Sequence, residues 1–143
     1  MVNPLIVMDT NVIISAFRSK RGASHLLLNR MGTGLYRHAV TTATVLEIEE
    51  LLHRESSAQG VTSRDIEAVV DYIVSEAVRV SIHYRWRPFL KDPDDECILE
   101  AAVAADAEAI VTYNLKDFSR VEPAFGIRVL TARQFLQEQG VIP

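Results

Sequence analysis

Asp9 directly follows the apolar run Leu5-Ile6-Val7-Met8 and is followed, after Thr10 and Asn11, by a second apolar segment, Val12-Ile13-Ile14. A charge at the end of a buried segment is costly unless it is paired or used. The simplest use is local: Asp and Asn are common helix N-caps, so Asp9 or Asn11 could do no more than start the helix that follows. The pattern recurs, however. Glu47 stands in Val45-Leu46-Glu47-Ile48, the cluster Asp92-Pro93-Asp94-Asp95-Glu96 precedes another apolar stretch, and Asn114 and Asp117 follow the apolar residues 109–111. Carboxylates brought together repel and raise one another's pKa, so a fold keeps several in one place chiefly when a hard cation neutralises them. Ligands that are all oxygen favour Mg²⁺ or Mn²⁺, which leave positions for water and for phosphate oxygens. His25, His38, His53 and His83 show no metal-ligand spacing and read as structural or surface residues, so zinc is not indicated. No glycine-rich P-loop is present to cradle a nucleoside triphosphate. The chemistry that fits best is phosphodiester hydrolysis by a metal-activated water, with a neighbouring acid as base.

These acids must be carried to one place by the chain between them. The unbroken apolar run at residues 5–8 predicts a strand buried on both faces, as in a parallel sheet between helix layers. Residues 38–41 and 109–112 have similar character, 78–82 alternate like a strand nearer an edge, and 128–130 predict a fifth strand. Ile66, Val69, Val70, Ile73 and Val74 fall on one helical stripe, with Thr62 or Ser63 as its cap. Val45, Ile48, Leu51 and Leu52 predict a second helix. Ile98, Leu99, Ala102, Val103 and Ala105 predict a third, opened by the acidic cluster, which suits a helix N-terminus. Strands alternating with helices give the expected class: α/β, a three-layer α/β/α sandwich around a central parallel sheet of four or five strands. Every strand-to-helix connection then brings an acid or amide to one rim, where open α/β sheets bind their ligands.

The chain has 143 residues, the size of one domain. Hydrophobic residues make up 48% and charged ones 24%, ordinary globular usage. Fifteen Lys and Arg against 19 Asp and Glu leave a net charge of −4, which disfavours a protein that coats nucleic acid through a broad basic surface but allows a local basic groove. A lone cysteine, Cys97, excludes an internal disulfide and fits a reducing compartment. It reads as a small buried residue with nothing basic nearby to lower its pKa. With no signal-peptide pattern at residues 1–8 and no apolar stretch of membrane-spanning length, a cytoplasmic protein is expected.

The residues also carry a resemblance. Met8-Asp9-Thr10-Asn11-Val12-Ile13-Ile14-Ser15-Ala16 matches the DTNxxxSA opening of the PIN domain (PilT N-terminus) family, Mg²⁺-dependent nucleases that include the VapC-type toxins. Residues 41–54 resemble its segment with a helical Glu and a Leu-x-Arg ending. Asp92-Pro93-Asp94-Asp95, followed by Ile98, Ala101 and Ala102 and then Ala109-Ile110-Val111-Thr112, resembles its DPxD helix and VT strand, and Asn114-Leu115-Lys116-Asp117-Phe118 its closing NxxDF variant. Four such pieces in order, over nearly the whole chain, are specific.

The resemblance implies a single PIN-like nuclease domain over residues 1–143, cleaving RNA with Mg²⁺ or Mn²⁺ as the toxin of a toxin–antitoxin pair, with an antitoxin partner and a homodimer. It implies metal ligands at Asp9, Glu47 and Asp95, with Asp92 or Asp117 as further acids, and Thr10, Asn11 and Thr112 to hold or orient them. Where many members have an Asp after the VT strand this chain has Asn114, which leaves Asp117 to fill that place or Asn114 to orient water. Helical periodicity counted from Val45 would bury Glu49 and put Glu47 at the border of the apolar arc; the motif register selects Glu47. Lys20 and Arg21, and Arg85 and Arg87 among the aromatic residues of His83-Tyr84-Arg85-Trp86-Arg87, are candidate contacts to nucleic acid. Their simpler readings are a solvated turn and, for Trp86, a loop anchor. Two other classes compete. A haloacid-dehalogenase-like phosphatase needs an acid at position 11, where Asn11 stands, and a non-catalytic PIN-like binding module is motivated by Asn114.

Overall fold

The run Leu5–Met8 forms strand β1, and all four of its side chains are buried. The computed structural model describes residues 3–56 and 60–143. Along them follow helices α1 (Thr10–Arg18) and α2 (Ala23–Asn29), strand β2 (Arg37–Val40), helices α3 (Thr42–Ser56) and α4 (Ser63–Ser75), strand β3 (Val78–Arg79) and helix α5 (Pro93–Ala105). Strand β4 (Ala109–Val111), helix α6 (Val121–Phe125), strand β5 (Arg128–Leu130) and helix α7 (Ala132–Glu138) complete the order. The strands make one sheet, β3-β2-β1-β4-β5, with every pairing parallel.

Because side chains alternate across a strand, β1 feeds two cores. Ile6 and Met8 pack with Val12, Ile13, Leu27, Ile48, Leu52 and Phe135 on one face, and Leu5 and Val7 pack with Ile98, Leu99, Ile110 and Phe118 on the other. Helices thus cover both faces, the three-layer α/β/α sandwich expected, with five strands. No helix among the described residues is long and apolar enough to cross a membrane.

Local signals set the helix starts that matter here. Thr62 caps α4 through a reciprocal capping box with Asp65, and the stripe Ile66, Val70 and Ile73 is buried. Asp92 caps α5, its Oδ1 accepting from the Asp94 amide at 2.9 Å, with Pro93 in the first turn. The third strand is shorter than the alternation of residues 78–82 predicts. The ladder ends at Arg79, with one further bond from the Val80 amide to the Val40 carbonyl at 2.9 Å. Beyond it the chain is drawn onto α5: both Arg87 Nε and Nη2 donate to Glu100 at 3.1 Å, and the Phe89 and Leu90 amides both donate to Glu96 Oε1 at 2.8 Å.

Phe118 is fully buried and anchors the turn after β4. Phe118→Ala is expected to lower stability by about 3–5 kcal/mol, whereas Thr62→Ala, at the exposed α4 cap, costs only about 1 kcal/mol; urea denaturation of the two variants checks the order.

Candidate active site

Asp9 sits where β1 passes into α1. Its backbone does both neighbouring jobs, with the amide donating to the Val111 carbonyl at 2.9 Å and the carbonyl accepting from the Val12 amide at 3.0 Å. Its carboxylate does not cap the helix. Instead Oδ2 accepts from the Thr112 hydroxyl at 2.8 Å. That hydroxyl has one proton, directed at Asp9, so its lone pairs face the donors around it: the Asn114 amide at 3.0 Å and Asn11 Nδ2 at 3.5 Å. Asn11 Oδ1 in turn accepts from the Tyr113 amide at 3.4 Å. Thr112 and Asn11 therefore fix the orientation of Asp9. Burial pushes the Asp9 carboxyl above its ordinary range, with the Thr112 hydroxyl pulling the other way.

The hydroxyl of Thr10 lies 3.4 Å from Asp9 Oδ1 and 3.3 Å from Glu47 Oε1, between the two carboxylates. Glu47 is half-buried and Glu49 exposed. Periodicity counted from Val45 centred the arc of α3 wrongly, because the helix buries Thr44, Ile48 and Leu52 and turns Leu46 outward. Glu47 lies on the flank of that stripe, toward Asp9.

Asp95 is buried in the first turn of α5. Burial, and then the charges of Asp9, Asp92, Asp117 and Asp94, raise its pKa to about 7. Glu47 is likewise raised to about 7, by burial first and then by Asp94, with smaller contributions from Asp9 and Asp92. Six carboxylates from four connections thus meet at the C-terminal rim of the sheet, where Asp9, Asp92 and Asp94 act on both Glu47 and Asp95, and Asp117 on Asp95. Asp92 is exposed and its carboxylate caps α5. Asp117 and Asn114 are exposed on the turn after β4, where Asn114 serves through its backbone amide. Asp94 was not among the expected site residues, yet its charge acts on Glu47 more than any other. The signal for it was its place in the run Asp92-Pro93-Asp94-Asp95.

Among the described residues no three His, Cys, Asp or Glu side chains stand at the spacing of ligands to one ion. The donors at the rim are nonetheless all oxygen, the set a hard cation takes, and Mg²⁺ is commonly held by one or two carboxylates with water elsewhere in its shell. By donor chemistry, though not by spacing, the residues suit such an ion.

Among the basic residues, Lys91 and Lys116 directly precede Asp92 and Asp117 in the chain and are exposed. Arg87, a candidate contact to nucleic acid, is held in its bidentate pair with buried Glu100, and its Nη2 lies 3.2 Å from Cys97 Sγ. Cys97 does therefore have a cation beside it, although burial still raises its pKa. Arg85, Lys20 and Arg21 are exposed. Trp86 packs against Tyr84 and Phe125, with ring centroids 4.6 and 5.3 Å away, as a loop anchor does. Among the histidines, buried His38 bonds the Ile73 carbonyl at 2.8 Å and His25 the Ala16 carbonyl at 3.1 Å.

A sheet of this order with acids at the ends of successive strands is one observation; the other is a family profile, PIN domain, that matches residues 5–116. The chain belongs to the PIN domain family. PIN domains are generally nucleases and typically depend on a divalent metal. None of the curated proteins compared with the chain matches it. The matched span contains Asp9, Glu47, Asp92, Asp94, Asp95 and Asn114 and ends one residue before Asp117. Strand β5 lies beyond it and pairs with β4 in the same sheet.

In metal-free protein, a carboxyl whose folded pKa is raised to about 7 binds its proton more tightly folded than unfolded, where its pKa is near 4. The stability it contributes is complete below about pH 4 and is lost as pH rises through about 7. Asp95→Asn removes that loss. Its melting temperature in chelator, relative to the parent protein, should therefore climb between about pH 4.5 and pH 8, and Glu47→Gln should behave alike. A difference that stays flat with pH would contradict the raised pKa values.

Proposed function

We propose that this PIN domain is a divalent-metal-dependent endoribonuclease acting as the toxin of a toxin–antitoxin pair. The observation that carries the reading is the convergence of Asp9, Glu47 and Asp95, from β1, α3 and α5, on one rim of a PIN-family sheet, each with its pKa raised by burial and, for Glu47 and Asp95, also by the charges of Asp9, Asp92 and Asp94. In this reading Asp9, Glu47 and Asp95 hold Mg²⁺ or Mn²⁺, with Asp92 as a further ligand and Asp117 as an acid at the open edge. Such an ion, when bound, makes water a better nucleophile and stabilises negative charge on phosphate.

The chain's own residues prepare the site. Thr112 donates to Asp9 Oδ2, and the Thr10 hydroxyl lies 3.4 Å from Oδ1. Thr10 keeps Asp9 and Glu47 apart while giving each a hydroxyl nearby. Asn11 ties Thr112 and the turn after β4 to the start of α1. The whole of residues 1–143 forms one nuclease domain in this reading, supported by β5 extending the sheet and by α7 residues Phe135 and Leu136 in the same core as α1. A cytoplasmic site of action belongs to the proposal through the signals of the sequence, and an antitoxin partner and a homodimer through the family resemblance.

A non-catalytic binding module is the second reading, favoured by Asn114, an amide at a place where the family often has an acid. The deciding experiment incubates the purified protein with mixed single-stranded RNA and DNA, with and without Mg²⁺ or Mn²⁺, beside Asp9→Asn. Metal-dependent cleavage of RNA, absent in Asp9→Asn, is expected. Full activity in Asp9→Asn would overturn the assigned roles, DNA cleaved as readily as RNA would overturn the substrate, and a folded protein that neither cleaves nor binds metal would establish the second reading.

A further inference from the structure

Resting on the nuclease reading above, we infer that Tyr113 is a stacking platform for an unpaired nucleobase beside the scissile phosphate, and that it gives the enzyme its preference for single-stranded RNA. The need for such a contact follows from charge. The rim carries six carboxylates, the chain is net negative, and Arg18, Arg54, Arg87 and Arg128 are all paired with Glu55, Glu50, Glu100 and Glu138. Proteins that grip a phosphate backbone do so with free cations. Exposed Lys91 and Lys116 stand next to the acids in the chain, and an uncharged contact adds affinity at a rim where six carboxylates repel phosphate.

Tyr113 is placed to supply it. It directly follows Thr112, whose hydroxyl bonds Asp9, and immediately precedes Asn114. Its backbone amide is tied to Asn11 Oδ1 at 3.4 Å, and the far end of its ring is held by its hydroxyl against Ser24 Oγ of α2, a fully buried side chain. Yet the residue is 44% exposed, on a chain where Thr112 before it is wholly buried. An aromatic ring held rigid but open loses little conformational freedom on binding, and stacking accepts any base because every base has a π-face. Bases in a duplex are already stacked on one another, so a ring of this kind discriminates by strandedness rather than by sequence.

The test measures binding of a labelled single-stranded RNA of mixed sequence, and of the same RNA annealed to its complement, in chelator, together with KM and kcat in Mn²⁺. Tyr113→Ala should weaken single-strand binding roughly fivefold to a hundredfold, raise KM in step, leave duplex binding unmoved and so erase the strand preference. Tyr113→Phe, which keeps the ring, should bind within about twofold of the parent; Tyr113→Leu, which keeps apolar bulk without a π-face and serves if the alanine variant fails to fold, should follow alanine. Cleavage by the parent with Tyr113→Ala or Tyr113→Leu binding equally well would overturn the inference and leave the nuclease reading standing, as would a loss confined to kcat or an equal loss in Tyr113→Phe. A parent protein that neither binds nor cleaves single-stranded RNA would overturn both.

Discussion

Repulsion among carboxylates held at one rim of the sheet is the constraint around which this molecule is arranged. All-parallel pairing forces it: with every strand running the same way, the connections after β1, β2, β3 and β4 open on the same side, and each of them carries acids or an amide. The same topology provides partial relief. Helices α1, α3 and α5 all begin near that rim, and a helix N-terminus carries partial positive charge. Asp9, Asp92, Asp94 and Asp95 all lie at or within the first turn of α1 or α5. Burial works in the opposite direction, and for Asp9, Glu47 and Asp95 burial is the larger effect.

Rigidity at the rim comes from neutral groups. Thr112 ties β4 to Asp9, Thr10 stands between Asp9 and Glu47, and Asn11 ties the start of α1 to the turn after β4. Helix α5 does the equivalent work on the opposite face of the sheet. Asp92 starts it, Asp95 faces the other acids, Glu96 gathers the Phe89 and Leu90 amides, and Glu100 holds Arg87. Four acids at this helix thus do four jobs, and the charges of the rim act on buried Asp95.

Much of this was legible in the residues. The unbroken run before Asp9 reports a strand covered on both faces, and the stripe from Ile66 to Val74 reports a helix with one buried side, because burial leaves a periodic imprint. Charges leave none. Whether Glu47 or Glu49 faces the site depends on which side of α3 meets α1 and α4, and counting from Val45 missed that Leu46 is exposed and Thr44 buried. The motif register succeeded there because it carries position directly. Arg87 and Cys97 could not be joined on paper, since the contact requires residues 81–90 to fold back along α5. Asp94 was visible in the acidic run, but its action on Glu47 was not, because that depends on how the fold sets α5 against α3; the contact of Tyr113 with Ser24 depends on the fold in the same way.

The most direct test of the rim as a metal site is calorimetric titration of Mn²⁺ into the metal-free protein near pH 6.5, in buffers of different ionisation enthalpy, beside Asp9→Asn and Asp95→Asn. If Asp9, Glu47 and Asp95 hold the ion, binding will be saturable, will release protons from the carboxyls whose pKa lies near 7, and will weaken sharply in both variants. A folded protein that takes up no ion, or one whose binding is unaltered by either substitution, would contradict it.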